Sequence, residues 1–96
     1  MIYVVTRQRG AGWQDALPLS AQRDWSEHAA CMDALHDEGF LLLAGTLEHG
    51  ALLIVDAERE EDVEARLSAD PWTASGLLAT TSIEAWEIRL GEIAGR

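Results

Sequence analysis

A histidine and an aspartate are the residues of this chain whose types and positions best suit acid–base chemistry. His28 lies in a predicted helix whose apolar residues recur at helical spacing, one turn before Met32 and two turns before Leu35. An imidazole on the inward face of a helix needs a hydrogen-bond partner. Asp70, which follows a second predicted helix, is the candidate for that partner.

The elements that must position this pair follow from apolar patterning and turn residues. Asp24 followed by Glu27 predicts a capping box at the start of the first helix, and Gly39 predicts its end. Pro71 ends the second helix, because the residue before a proline resists the helical conformation. The predicted elements are strands over 1–6, 40–46, 51–56 and 78–90, helices over 24–39, 58–69 and 72–76, a loop over 7–23 and a hairpin turn over 48–50.

The order β-α-β-β-α-β is that of the ferredoxin-like fold, which predicts an α+β domain with an antiparallel four-stranded sheet and both helices on one face. The chain forms one domain over 1–96, with a frayed tail over 91–96. Strands two and three are nearly continuous apolar runs, whose side chains point to both faces of the sheet. Two helices cover only one face. We therefore expect a homodimer in which a second copy covers the other face.

This topology brings the two candidate residues to one end of the domain. The first helix starts there, the second helix ends there, and strand one runs toward it. A carboxylate beside the imidazole of His28 would fix its tautomer and orientation, which suits general acid–base work on a small substrate. The residues predicted to bind that substrate are an arginine after strand one and three tryptophans that can wall a pocket: Arg7, Trp13, Trp72 and Trp86.

Structural roles explain the same residues without any chemistry. Asp70 directly before Pro71 is the expected N-cap of the short helical turn, with proline at its first position. A histidine on an inner helical face is often a hydrogen-bonded core residue, and tryptophans are more often core than pocket wall. The residues alone leave the catalytic and the structural interpretation of the pair open.

Composition excludes several classes of partner. The chain has 17 acidic residues and 7 arginines, with no lysine, for a formal net charge of −10. Nucleic acid is an unsuitable partner because binding to phosphate needs a cationic patch, and an anionic membrane surface is disfavoured for the same reason. No apolar run has the length of a membrane span, and residues 1–5 lack the features of a signal peptide. Cys31 is the single cysteine, which favours a cytoplasmic location.

Sites for metals and cofactors are not predicted. His28 and His36 are eight residues apart, which is not metal-ligand spacing on a helix, and the chain has no other cluster of histidine and cysteine. Gly10 and Gly12 do not follow a phosphate-loop pattern. The expected partner besides the second copy is a small-molecule ligand.

The chain resembles the YCII-related domains over essentially its whole length. The residues that carry the resemblance are Trp25-Ser26-Glu27-His28-Ala29, Met32-Asp33-Ala34-Leu35, Glu38-Gly39, Leu42-Leu43-Ala44-Gly45, Ala51-Leu52-Leu53-Ile54-Val55, Ala69-Asp70-Pro71-Trp72, Gly76-Leu77-Leu78 and Trp86. The resemblance implies a ferredoxin-like fold that dimerises into an α/β barrel, similar to muconolactone isomerases. It also implies that His28 and Asp70 match the active-site pair of the family, that no metal or organic cofactor takes part, and that a dehydrochlorinase of chlorinated-aromatic breakdown is the nearest guide to the chemistry.

Two positions depart from the pattern of that family. The usual Ala/Gly-Gly-Pro-Leu is Ala44-Gly45-Thr46-Leu47 here, and Arg59 stands near a position where a helix-capping serine is common. Neither departure touches the pair. We therefore predict a small cofactor-independent enzyme whose His–Asp dyad moves a proton on a small carbonyl-containing or aromatic substrate, in an isomerase-, lyase- or dehydrohalogenase-like step. The alternative is a non-catalytic ligand-binding or accessory module in which the dyad is a structural clamp.

Overall fold

A computed structural model describes residues 1–93 of the chain. In chain order the elements within those residues are β1 (Ile2–Arg9), a one-turn 3-10 helix (Leu19–Ala21), α1 (Trp25–Asp37), β2 (Leu41–Leu47), β3 (Gly50–Asp56), α2 (Glu60–Leu67), α3 (Pro71–Ser75) and β4 (Leu78–Ala85). Of the predicted frayed tail, residues 91–93 belong to no helix or strand, and residues 94–96 lie outside the described part of the chain.

The four strands form one antiparallel sheet in the order β2-β3-β1-β4. Val5 of central β1 lies opposite Leu53 of β3 on one side and Ile83 of β4 on the other. This order and these directions confirm the predicted α+β, ferredoxin-like fold.

The core lies between one face of the sheet and the two longer helices. Alternate residues of β1, namely Tyr3, Val5 and Arg7, are buried, as expected for a strand covered on one face. The apolar residues that form the main cluster with Tyr3 and Val5 are Leu35 of α1, Val63 and Leu67 of α2, Leu53 and Val55 of β3, and Phe40 and Leu41 at the start of β2. Both helices therefore cover the same face of the sheet, as predicted.

Two strand ends differ from the prediction by three residues or more, because pairing between neighbouring strands sets them. β1 continues to Arg9, since Gln8 and Arg9 keep partners on β3 and β4 after the apolar pattern has ended. β4 ends at Ala85, opposite Tyr3, the second residue of β1. As a result, three residues assigned to the loop belong to the central strand.

The predicted capping box at the start of α1 is wrong. Asp24 is the N-cap residue, but it has a left-handed backbone (φ 59°) and its side chain makes no capping hydrogen bond. A capping side chain needs an extended backbone at that position, which directs its oxygen toward the free N–H groups of the first turn. Arg59, the N-cap of α2, has the extended backbone but also makes no side-chain cap.

The face of the sheet opposite the helices carries exposed leucines. Leu43 of β2 lies opposite Ile54 and Leu47 lies opposite Gly50, which places both leucines on the face that the helices do not cover. The side chain of Leu43 is 56% exposed. Within residues 1–93, no helix is both long enough and apolar enough to cross a membrane.

Candidate active site

Asp70 is held in place by the start of α3. It is the N-cap residue of that helix, with Pro71 at the first helical position, and its Oδ1 accepts a hydrogen bond from the backbone N–H of Trp72 at 3.0 Å. The local sequence thus fixes the carboxylate at the end of α2, in the fully buried position where α3 turns back toward the sheet.

His28 reaches the same carboxylate from the first turn of α1. Its Nδ1 lies 2.9 Å from Oδ1 of Asp70, and both side chains are buried. The order of helices and strands predicted a contact between His28 and Asp70, and that contact is present. The other ring nitrogen, Nε2, has no hydrogen-bond partner in the described part of the chain, and His28 lines a cavity.

Arg7 is a third member of this buried group. Its Nη1 donates to Oδ2 of Asp70 at 2.8 Å, and its Nη2 donates to Oγ1 of Thr73 at 2.6 Å and to the backbone carbonyl of Leu78 at 3.4 Å. The side chain is 1% exposed, and Nε has no hydrogen-bond partner among the described residues. The two carboxylate oxygens of Asp70 are thus shared between a guanidinium on one side and an imidazole on the other.

The balance of these contacts keeps Asp70 ionised. Burial raises the pKa of its carboxyl, but hydrogen bonds from His28, from Arg7 and from the backbone N–H of Trp72 lower it by more, so the pKa lies below its ordinary value. An ionised carboxylate accepts hydrogen bonds only. The proton between Asp70 and His28 is therefore on Nδ1, so that in the neutral form of the ring the lone pair is on Nε2.

Tryptophans hold the imidazole ring in a fixed plane. Trp72 stacks on His28 with ring centroids 3.7 Å apart and an interplanar angle of 8°. Trp25 packs against both rings at 5.9 Å, and Trp13 meets Trp72 edge to face at 5.3 Å. Trp72 is itself fixed, because it is fully buried and its indole N–H donates to the backbone carbonyl of Arg23.

A cavity of about 640 Å³ opens beside this aromatic cluster, at the end of the sheet where His28 lies. Its walls are the first turns of α1, the loop before α1 and the β2–β3 hairpin; Ala44-Gly45-Thr46-Leu47, which departs from the family pattern, forms part of the last wall. Of the predicted site residues, the structure brings His28, Trp13 and Trp72 to this cavity. Its lining also includes Arg9 and Met32, which the sequence did not single out as ligand-binding residues.

Arg7 does not line the cavity, although the sequence placed it among the substrate-binding residues. It lies behind Asp70, since it shares the helix-facing side of β1 with Tyr3 and Val5. The alternation along the strand was a usable signal. If the alternation of Tyr3 and Val5 is continued by two residues, it places Arg7 inside the domain. A buried guanidinium there requires a carboxylate partner.

Trp86 also lies away from the cavity. It follows β4, its backbone N–H donates to the carbonyl of Ile2, and its side chain is 43% exposed. β4 begins beside Arg9, at the cavity end of the sheet, and its end lies beside the start of β1. Trp86 therefore sits at the opposite end of the sheet from His28.

Within residues 1–93, the other histidines and the cysteine form no second site. His36 and His49 are exposed, and Cys31 is half-buried at the edge of the core, where burial raises the pKa of its thiol. Among residues 1–93, no group of three or more histidine, cysteine, aspartate or glutamate side chains is arranged to hold a metal ion.

Comparison with known proteins supports the fold. The chain is similar in structure to a 5-chloro-2-hydroxyhydroquinone dehydrochlorinase from Burkholderia phenoliruptrix AC1100, solved in complex with 2,5-dihydroxybenzoquinone, with a TM-score of 0.69 and 24% sequence identity over 91% of this chain and 94% of that one. At this level of identity the likeness concerns the fold. No protein-family model and no curated protein sequence matches the chain.

Proposed function

We propose that the protein is a small cofactor-independent enzyme in which His28 transfers a proton on a small carbonyl-containing or aromatic substrate. One observation carries the proposal. Nδ1 of His28 is hydrogen-bonded to an ionised, buried carboxylate, while Nε2 on the other side of the ring has no hydrogen-bond partner among residues 1–93 and the residue lines a cavity. That is the arrangement of a general base whose orienting group is Asp70.

The proposed step begins with transfer of a substrate proton to Nε2. The imidazolium that forms is stabilised by Asp70, which remains ionised because Arg7 also binds it. Return of the proton to another substrate atom gives an isomerisation, whereas departure of a halide or another anion from the neighbouring carbon gives an elimination. Trp72, which is buried and stacks on the imidazole, keeps water from that face of the ring and so strengthens these electrostatic contacts.

The cavity suits a flat molecule of one or two rings. Its volume of about 640 Å³ falls in the usual range for small-molecule sites, and tryptophan rings form part of its wall. The structurally similar dehydrochlorinase was solved with 2,5-dihydroxybenzoquinone, a flat ring bearing carbonyl and hydroxyl groups. This ligand supports a substrate of the same general class, an aromatic or quinone-like compound with polar groups at its edge.

The competing proposal is a non-catalytic ligand-binding or accessory module, and one observation favours it. Asp70 caps α3 and pairs with Arg7, so its carboxylate has a structural role whether or not His28 performs chemistry. Under that proposal His28 completes the clamp, and the cavity binds a ligand without changing it.

A ligand screen followed by proton exchange separates the two proposals. Small aromatic and lactone-like acids, with 2,5-dihydroxybenzoquinone among them, are first tested for a rise in melting temperature. Compounds that bind are then incubated with the protein in D2O, and proton NMR follows loss of carbon-bound hydrogen or conversion to product. We expect exchange or conversion that requires His28. Binding without either, at equal affinity in wild type and His28→Gln, would instead support the accessory module.

We further propose that the protein is a homodimer formed through the uncovered sheet face, which would make it a dimeric α/β barrel. The exposed leucines Leu43 and Leu47 on that face support it, since apolar side chains grouped on a sheet face favour burial by a partner. The cytoplasmic location remains a prediction based on the single cysteine.

Light scattering after gel filtration tests the dimer. We expect a mass of twice 10.5 kDa at micromolar concentration, and a shift toward monomer for Leu43→Glu, because the carboxylate would be buried without a partner at the interface. Leu90→Glu is the matched control, since Leu90 is 94% exposed and lies after β4. A monomeric wild type, or equal behaviour of the two variants, would rule out the sheet-face dimer.

A further inference from the structure

We infer that the ligand of this cavity is an acid, whose carboxylate or ionised hydroxyl binds the guanidinium of Arg9. This assignment rests on the proposed function, because it names the substrate class of the same site. The position of Arg9 and its present partners support it.

Arg9 is the last residue of β1 and lies opposite Leu78 of β4, at the edge of the cavity. Among the described residues, the charged or titratable side chains that line the cavity are Arg9, His28, Asp15 and Asp33. Arg9 is the permanent cation in this set. Its side chain is 28% exposed, so it is open to a ligand yet partly removed from solvent screening.

The present contacts of Arg9 orient its guanidinium without satisfying it. The guanidinium lies over the ring of Trp13, 4.9 Å from the ring centroid. Its ion pair is a single contact of 3.5 Å to Asp15, a side chain that is 85% exposed. Exposed pairs of this kind are weak and screened by salt, whereas a carboxylate held in a cavity can form two parallel hydrogen bonds with a guanidinium. A ligand acid can therefore displace Asp15.

The same contacts connect Arg9 to the imidazole. Trp13, beneath the guanidinium, meets Trp72 edge to face, and Trp72 stacks on His28. A flat ligand whose acidic group binds Arg9 is thereby placed along these aromatic rings, with its far side toward Nε2 of His28. A ligand whose acidic group is attached to an aromatic ring, or lies next to a carbonyl, therefore fits both ends of the cavity: its acidic group binds Arg9 and its other end reaches His28.

Because the whole protein is negatively charged, tighter binding of an acid than of its neutral analogue would show that the site itself attracts the acid. With a formal net charge of −10, the long-range field repels small anions. General electrostatic attraction cannot give tighter binding of an anion than of its neutral analogue. Such a preference therefore requires a local cation, and Arg9 is the group that can supply it.

Binding of 2,5-dihydroxybenzoate and its uncharged analogue 2,5-dihydroxybenzamide, measured by calorimetry, tests the inference. We expect wild type to bind the benzoate about tenfold more tightly than the benzamide, which is the effect of one charge-assisted contact. The ratio should fall to about one in Arg9→Gln and be kept in Arg23→Gln. Arg23 is an exposed arginine just before α1 that does not line the cavity, so the control makes the same change of charge. Asp15→Asn should strengthen binding of the benzoate alone, because the competing carboxylate is gone.

Equal affinity of wild type for the two compounds would overturn the assignment, as would failure of both to bind at millimolar concentration or a preference that survives Arg9→Gln. These outcomes concern binding only. If turnover depends on His28 but acids are not preferred, the proposed function stands and the assignment of Arg9 falls. If acids are preferred through Arg9 but no ligand is turned over, the acid-binding site stands and the proposed catalysis falls.

Discussion

Replacement of His28 by glutamine is expected to lower the turnover number of the protein about 10²–10⁴-fold, the usual contribution of a general acid–base group, while the protein remains folded. The amide of glutamine can still donate a hydrogen bond to Asp70, so the buried carboxylate keeps a donor in place of Nδ1. The variant lacks any group that can accept and return a proton. Its effect should therefore fall on turnover and much less on the binding of ligand.

Turnover of the compound that the proton-exchange screen identifies is measured for wild type and variant, together with the melting temperature of each protein. His36→Gln is the matched control, because His36 is in the same helix and exposed. It should change neither quantity. Full turnover in His28→Gln would rule out His28 as the acid–base group. A large loss of stability in this variant would instead show that the histidine is part of a structural clamp.

Asp70→Asn is expected to lower the free energy of unfolding by about 3–5 kcal/mol, because it leaves the buried guanidinium of Arg7 without its counter-charge. This is a large part of the roughly 5–15 kcal/mol that holds a typical domain folded. The asparagine oxygen can still cap α3, so loss of the charge pair dominates. The variant is thus expected to be destabilised whether or not the protein is an enzyme, which makes His28→Gln the better test of catalysis.

The pH dependence of unfolding gives a second readout of the same pair. The pKa of Asp70 is lower in the folded protein than in the unfolded chain, so its contribution to stability is fully present above about pH 4 and is lost as pH falls through the folded-state pKa. The difference in unfolding free energy between wild type and Asp70→Asn should therefore be largest at neutral pH and shrink in acid.

Denaturant titrations at several pH values check this expectation. Asp62→Asn is the control, because it removes the carboxylate of an exposed ion pair, Arg59–Asp62. It should lower the free energy of unfolding by less than about 1 kcal/mol. Equal effects of the two substitutions at neutral pH would contradict a stabilising role for the buried pair. So would a difference that does not vary with pH.

The meeting of His28 and Asp70 followed from the sequence because it depends on element order and not on fine geometry. Apolar periodicity gave the strands and helices, and their order gave the fold. In that fold the start of α1 and the end of α2 lie at one end of the sheet, and Pro71 places Asp70 just beyond the helix. The contact is robust to errors of two or three residues in the element boundaries.

The positions of Arg7 and Arg9 were harder to predict because they depend on pairing between strands. The apolar pattern of β1 ends before Arg7, yet hydrogen bonding to both neighbours carries the strand to Arg9. That extension gives the two arginines the same helix-facing side, one behind the carboxylate of Asp70 and one at the cavity. The conformation of the loop that brings Trp13 over Trp72 depends on long-range packing, which local sequence does not specify.

The several contacts of Asp70 have an evolutionary consequence. A lineage that abandoned the proposed chemistry would still need this aspartate to cap α3 and to neutralise Arg7, whereas another hydrogen-bond donor such as glutamine could replace His28 beside it. Retention of the aspartate among descendants would then report inheritance of the fold. Only retention of the histidine beside it would indicate that the ancestral activity was still under selection.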